Sequence, residues 1–324
     1  MFKPKNSNTF MLILIVASVV IPTILGIGLE IFTLLNPQVN MHFPTWAVIL
    51  FGQLIIFGLP SIAYLSLHKD KIREILPLRR LGAKNIIMII AMSVAIQPLF
   101  MLVNLLSQFF FPNVIGEAIQ DIGQEGGIAL TLAIVAVVPS VFEEVAFRGI
   151  GFAGYKNVKI RTAAIINGLV FGIIHMNMNQ FFYAFLLGAV FCYFMYYTKS
   201  LWAPILSHFI INSTQSLIAY GAGALVDPEA VEYAVDMDLS AGGAEFMLLL
   251  AIIAVFAIIF TCAFFAIYIA FKRHNLKRNE QDGIITHSSK IETEEEPRPI
   301  KGLTWHIWVI VCIFAVMMVL RYAL

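Results

Sequence analysis

Nine stretches of this chain are too apolar and too long to serve as the surface of a water-soluble domain, and they decide what it can fold into. They run roughly over 10–34, 46–67, 86–106, 127–155, 162–175, 181–197, 203–220, 245–271 and 304–320. About 20 apolar residues cross the hydrocarbon core of a bilayer as a helix. Of the 324 residues, 60% are hydrophobic and 13% are charged. A soluble domain carries about a quarter charged residues, so this chain cannot cover a water-facing surface of its own size. The predicted fold is therefore all-α, a polytopic transmembrane bundle of about nine spans, with lipid covering the apolar surface. Disordered, collagen-like, coiled-coil and disulfide-scaffold classes are excluded. A net charge of +1 gives no reason to expect a nucleic-acid partner. Cys192, Cys262 and Cys312 all sit inside apolar runs and read as packing residues.

Basic residues set the orientation. They fall in the tail before residue 10, in 68–85, in 148–161, at Lys199 and in 272–303, and with alternating spans these groups share one side. That side holds 20 of the 21 Lys and Arg residues, the exception being Arg321. The connections 35–45, 107–126, 176–180 and 221–244 hold none and carry acids such as Glu117, Asp121, Asp227, Glu229 and Asp236. The N-terminus is expected in the cytoplasm, the C-terminus outside, and the protein in the plasma membrane. The first run follows Lys3 and Lys5 as a signal peptide would, but it is longer and no A-x-A-like site follows, so it reads as an uncleaved span. Residues 107–124 read as an external loop with an amphipathic turn. The stretch 272–303, with the run Glu292–Glu296, reads as a flexible cytoplasmic linker, and the last span as an appendage. The chain divides into 1–124, a core of spans four to seven over 125–222, and 223–324.

Ionisable groups at membrane depth are costly and are functional hypotheses by default. Three stretches carry them: Glu143, Glu144 and Arg148 in the fourth run, His175 in the fifth, and His208 with Asn212 in the seventh. Glu144 and Arg148 are four apart on a helix and can pair, while Glu143 is turned about 100° away and left without a local cation. His208 and Asn212, also four apart, can present two donors to one point. If the fourth helix ended at Arg148, Glu143 would lie about 8 Å from its end, too shallow to meet a His175 about 20 Å into its own helix. Running on to about Tyr155 places Glu143 about 18 Å deep and His208 about 14 Å from Lys199, so the depths agree. This buries Arg148. Pro139, four residues before Glu143, lacks an amide hydrogen and predicts a bend there. A lone buried His, or one Glu–Arg pair, is often only structural; three helices contributing at matching depth are harder to explain so.

The order Glu-Glu-x-x-x-Arg (Glu143 to Arg148), Phe-x-x-x-His (Phe171 to His175) and His-x-x-x-Asn (His208 to Asn212), each on an apolar helix, resembles the CPBP family of intramembrane proteases. That family includes CAAX prenyl endoproteases and bacterial Abi proteins linked to bacteriocin processing and self-immunity. The resemblance covers about residues 125–222. It implies a glutamate-dependent endopeptidase whose site lies inside the membrane, open to the cytosol. Glu143 would be the general base, His175 would help orient water, His208 and Asn212 would stabilise the oxyanion, and Glu144 with Arg148 would support them. The expected partners are the lipid bilayer and a peptide or membrane-protein substrate such as a leader or CAAX-like peptide.

No cofactor is expected. Glu143, His175 and His208 could in principle ligate zinc, but no His-Glu-x-x-His is present, and metal-free catalysis is the favoured reading. A non-catalytic scaffold or bacteriocin self-immunity protein of the same fold is the alternative. A proton-coupled transporter is a third reading, but it would show paired repeats that this sequence lacks.

Overall fold

The computed structural model of the chain describes residues 3–39, 41, 43–225, 244–284 and 302–322. Among these the architecture is a helix bundle with no β-strand, and each of the nine apolar runs is helical. The helices are α1 (Pro4–Leu35), α2 (Thr45–Leu67), α3 (Ala83–Gln108), α4 (Val114–Gly151), α5 (Ile160–Ile174), α6 (Met178–Thr198), α7 (Trp202–Leu225), α8 (Ala244–Gln281) and α9 (Trp305–Tyr322). Seven are long and apolar enough to cross a membrane; α5, with 15 residues, is shorter, and α7 is not one of the seven. Asp227, Glu229, Asp236 and the run Glu292–Glu296 lie outside the described residues.

Helix α4 is not uniform, and its irregularities shape the site. Gly127 adopts φ 70° and ψ −177°, a conformation that L side chains rarely tolerate, so α4 breaks there. The stretch 107–124 is thus not the loop expected from its polarity. From Val114 it is helical, with Asn113 capping the amide of Gly116 and with Ile119 and Ile122 buried. The spacing 115, 119, 122 is helical, but its short apolar stripe is diluted by glycines and acids. Beyond the break, π-helical turns at Leu132–Val137 and Val145–Gly151 flank Val138–Glu144. Such wide turns recur at functional sites. The first of them ends just before Pro139, where the sequence predicts a bend. The helix continues past Arg148 through Ala153.

Small residues and polar pairs hold the helices together, as expected where lipid removes the hydrophobic drive between them. Helices α5 and α6 touch through glycines: a Cβ on Gly188 would lie 2.8 Å from the Gly168 Cα and 3.0 Å from the Phe171 Cβ. Asn85 of α3 and Asn275 of α8 exchange side-chain hydrogen bonds of 2.9 and 2.8 Å, and Ser93 meets Ser207 at 2.7 Å. This explains why α8 outruns its apolar segment, so that residues 272–281 are helix and not linker. Asn275 and Asn279 are fully buried, Arg278 donates to the carbonyls of Arg80 and Leu81, and Asn279 donates to Tyr197. Nor is α9 an appendage: its His306, Ile307 and Ile310 are buried, and Thr304 beside it bonds Asn8 of α1.

The basic connections meet at one end of the bundle. Ser7 bonds the Ile150 carbonyl, Asn8 bonds Gly302, Lys156 bonds Glu74, Leu201 bonds Pro77, and Arg79 pairs with Asp282. The tail, the α2–α3 and α4–α5 connections, the α6–α7 turn and the end of α8 are thereby gathered together. Arg321, the exception, sits at the opposite end, where it donates to the Met176 carbonyl.

Candidate active site

Five residues of the three sequence motifs line one cavity of about 260 Å³: Glu143 on α4, Phe171 on α5 and His175 capping its C-terminal end, and His208 and Asn212 on α7. Glu144 and Arg148 do not line it; both are fully buried behind it. Helix α4 separates the neighbouring carboxylates because one residue turns the chain by about 100°.

Behind the cavity, the Arg148 Nη1 donates to Glu144 Oε1 at 3.0 Å, and Nη2 donates to the Gly188 carbonyl at 2.9 Å. The guanidinium carbon lies 4.3 Å from the Phe171 ring centre and 5.1 Å from that of Phe191. Cation–π contact and two charge-assisted hydrogen bonds thus replace the water Arg148 loses. The same Glu144 Oε1 lies 2.9 Å from His208 Nδ1. One carboxylate oxygen therefore fixes both the arginine and the histidine.

The partners also set the histidine tautomers. The His175 Nδ1 lies 2.7 Å from the Phe171 carbonyl, and a carbonyl only accepts, so Nδ1 holds the hydrogen, and in the neutral ring Nε2 keeps its lone pair. The bond uses the backbone carbonyl of residue 171 and ties the histidine to its own helix, while the Phe171 ring packs on Arg148. His208 likewise gives its Nδ1 hydrogen to Glu144, so its Nε2 donates to another group only when the ring carries both protons.

Asn212 does not simply double His208. Its Nδ2 donates to the Val135 carbonyl at 3.0 Å. Val135 is four residues before Pro139, the position whose missing amide hydrogen leaves that carbonyl without its α-helical donor. Asn212 thereby ties α7 to the wide turn above the glutamates, and it keeps a second amide hydrogen for another acceptor. His208 and Asn212 share a helix face, but each has one donor committed to protein.

One site residue goes unread in the sequence. Gln53 of α2 donates from Nε2 to Glu143 Oε1 at 2.8 Å and lines the same cavity. Glu143 is 5% exposed and its Oε2 has no hydrogen-bond partner among the described residues. Gln53 thus fixes one carboxylate oxygen while the other is uncommitted. The signal was available: Gln53 is a lone amide inside an apolar run, at a depth where polar side chains are expensive. If it orients Glu143, Gln53→Ala lowers kcat about tenfold with KM unchanged, the loss of one hydrogen bond to a charged group. Steady-state kinetics on the purified variant would show this, and a change in KM alone would make Gln53 a substrate contact.

Among the described residues, no three His, Cys, Asp or Glu side chains converge as a metal-ligand set.

Residues 125–214 match the family described as type II CAAX prenyl endopeptidase Rce1-like. A 98-residue stretch is 29% identical to "Putative membrane peptidase YdiL" of Bacillus subtilis (strain 168). The match covers 30% of this chain and 39% of that relative. No solved structure gives a significant match. Between residues 125 and 214, where Glu143, His175, His208 and Asn212 all stand, this helical membrane protein is thus similar to the type II CAAX prenyl endopeptidase family, as the motifs' resemblance to CPBP proteases implies.

Proposed function

We propose that the protein is an intramembrane endopeptidase that uses Glu143 as its general base. The observation that carries this reading is the state of the Glu143 carboxylate: almost fully buried, with one oxygen held by Gln53 and the other without a partner among the described residues, in a cavity shared with His175, His208 and Asn212. In the proposed reaction, water gives a proton to Glu143 and its oxygen bonds to the scissile carbonyl carbon, whose oxygen becomes negative. His175, accepting at Nε2, orients that water. Doubly protonated His208 and the spare amide hydrogen of Asn212 donate to the oxyanion. The C–N bond then breaks as Glu143 passes its proton to the leaving nitrogen. The low dielectric of a buried site strengthens each of these interactions.

The direct test is isotopic. Peptides released by the purified protein in water enriched in heavy oxygen should carry one heavy oxygen at the new carboxyl terminus. A membrane scaffold or a transporter releases no such product.

Asn212→Ala should lower kcat about a hundredfold with little change in KM, since an oxyanion donor acts mainly in the transition state. Asn212→Asp should do no better, because a carboxylate would face the Val135 carbonyl. Single-turnover kinetics separates the outcomes: weakened binding with an intact chemical step would make Asn212 a contact to the substrate backbone.

The proposed chemistry also needs no metal, so exhaustive chelation should leave the rate unchanged. Stoichiometric zinc, with activity restored only by adding it back, would instead put Glu143, His175 and His208 in a ligand shell.

A further inference from the structure

We propose that substrate reaches Glu143 from the end of the bundle that lacks basic connections, the end that the charge bias places outside the cytoplasm. The inference rests on the peptidase reading of the site. It also departs from the cytosolic opening that the family resemblance implies.

The walls of the cavity indicate the direction. On the basic side the lining stops deep: its residue nearest that end of α7 is His208, about 9 Å from Trp202, and on α4 it is Glu143, about 12 Å from Gly151. Below that level the described side chains of α4 are packed into the bundle. Phe147, Arg148 and Ile150 are fully buried, and the Arg148 guanidinium packs against both Phe171 and Phe191. On the other side the lining climbs to the helix ends. It includes Gln180, about 3 Å along α6 from Met178, and Ile115, one residue inside α4.

A second cavity of about 490 Å³ lies at this same end and shares Ile115, Ile119, Tyr183 and Gln215 with the first. The shared wall combines the first stretch of α4, turned at Gly127, with Tyr183 of α6 and Gln215 of α7. The larger space is mostly apolar, with Gln97, Asn104, Asn113 and Gln215 as polar points, and it has room for side chains flanking a scissile bond.

Charge narrows the substrate class. The connections 107–126 and 176–180 hold no Lys or Arg. Glu117 and Asp121 are exposed, four residues apart, on the stretch of α4 that walls both cavities. Arg321 is the one cation placed at this end among the described residues, and it is tied to the Met176 carbonyl. A neutral or basic peptide segment fits such a rim, and an acidic one would be repelled. The favoured substrate is the extracytoplasmic flank of a membrane-anchored or exported peptide.

Access can be tested without knowing the substrate. Single cysteines would be placed at Ile134 and Ala118 in the cavity wall, at the exposed Glu117, and at the exposed Lys159 on the basic end, with Cys262 and Cys312 changed to Ala. Intact cells and inside-out vesicles would each be treated with a small membrane-impermeant thiol reagent. Ile134→Cys and Ala118→Cys should react at least about tenfold faster from outside intact cells than from the inner face, since thiol modification follows exposure. Lys159→Cys should react only from the inner face. Cavity cysteines that react only from the inner face, or that stay unmodified while Glu117→Cys reacts from outside, overturn the proposal. So does Lys159→Cys reacting from outside. Labelling does not depend on turnover, so this result and the loss of cleavage in Glu143→Gln succeed or fail separately.

Discussion

Glu143→Gln is expected to slow peptide-bond hydrolysis toward the upper end of the roughly 10²–10⁴-fold range for loss of a general base. The protein should still insert, and it should melt as the wild type does. The amide keeps the carboxylate's shape, and its oxygen can still accept from Gln53 Nε2, now 2.8 Å from Glu143 Oε1. What it lacks is the basicity to take a proton from water and hand it to the leaving nitrogen. Affinity for substrate should change little, so the loss falls on kcat. Thermal melting in detergent beside single-turnover kinetics separates lost chemistry from lost fold. Near-normal turnover would sink the glutamate mechanism.

Arg148→Ala should give the largest loss of stability. Arg148 and Glu144 are both fully buried, and the same Glu144 oxygen also holds His208. Removing the guanidinium leaves the buried Glu144 carboxylate with His208 as its remaining charge partner, and losing one partner of a buried pair costs up to about 3–5 kcal/mol. It also frees the Gly188 carbonyl and leaves a void beside Phe171 and Phe191. The double variant Glu144→Gln with Arg148→Met should recover part of that loss, since neither charge is then unpaired. Activity need not recover, because His208 loses the carboxylate that fixes its ring. Wild-type melting of Arg148→Ala would mean that the pair contributes nothing to the fold.

The sequence made the helices legible because the bilayer imposes a length and a polarity that composition alone displays. It also made the depth of the polar residues legible, since 1.5 Å per residue turns spacing into position. That arithmetic requires a fourth helix running past Arg148, and α4 does so. Less legible was whatever depends on which helix stands beside which. Gln53 meets Glu143 across 90 residues, and no local pattern links them. The Asn212 bond to Val135 makes sense only once Pro139 is seen to take away that carbonyl's α-helical donor. The helical start of α4 and the helical end of α8 were hidden by polarity. Val114–Gly126 carries acids and glycines but buries Ile119 and Ile122, and residues 272–281 carry charges but bury two asparagines.

The central claim is that Glu143 drives hydrolysis of a peptide bond at the membrane, and the measurement closest to it is a comparison of peptide termini. Membranes and medium from cells carrying the wild type and from cells carrying Glu143→Gln at equal abundance would be compared by mass spectrometry of new N-termini. The account predicts a small set of termini present with the wild type and absent with Glu143→Gln, each beside a membrane-spanning or exported segment. Identical termini in the two, with both proteins inserted at equal level, would contradict it.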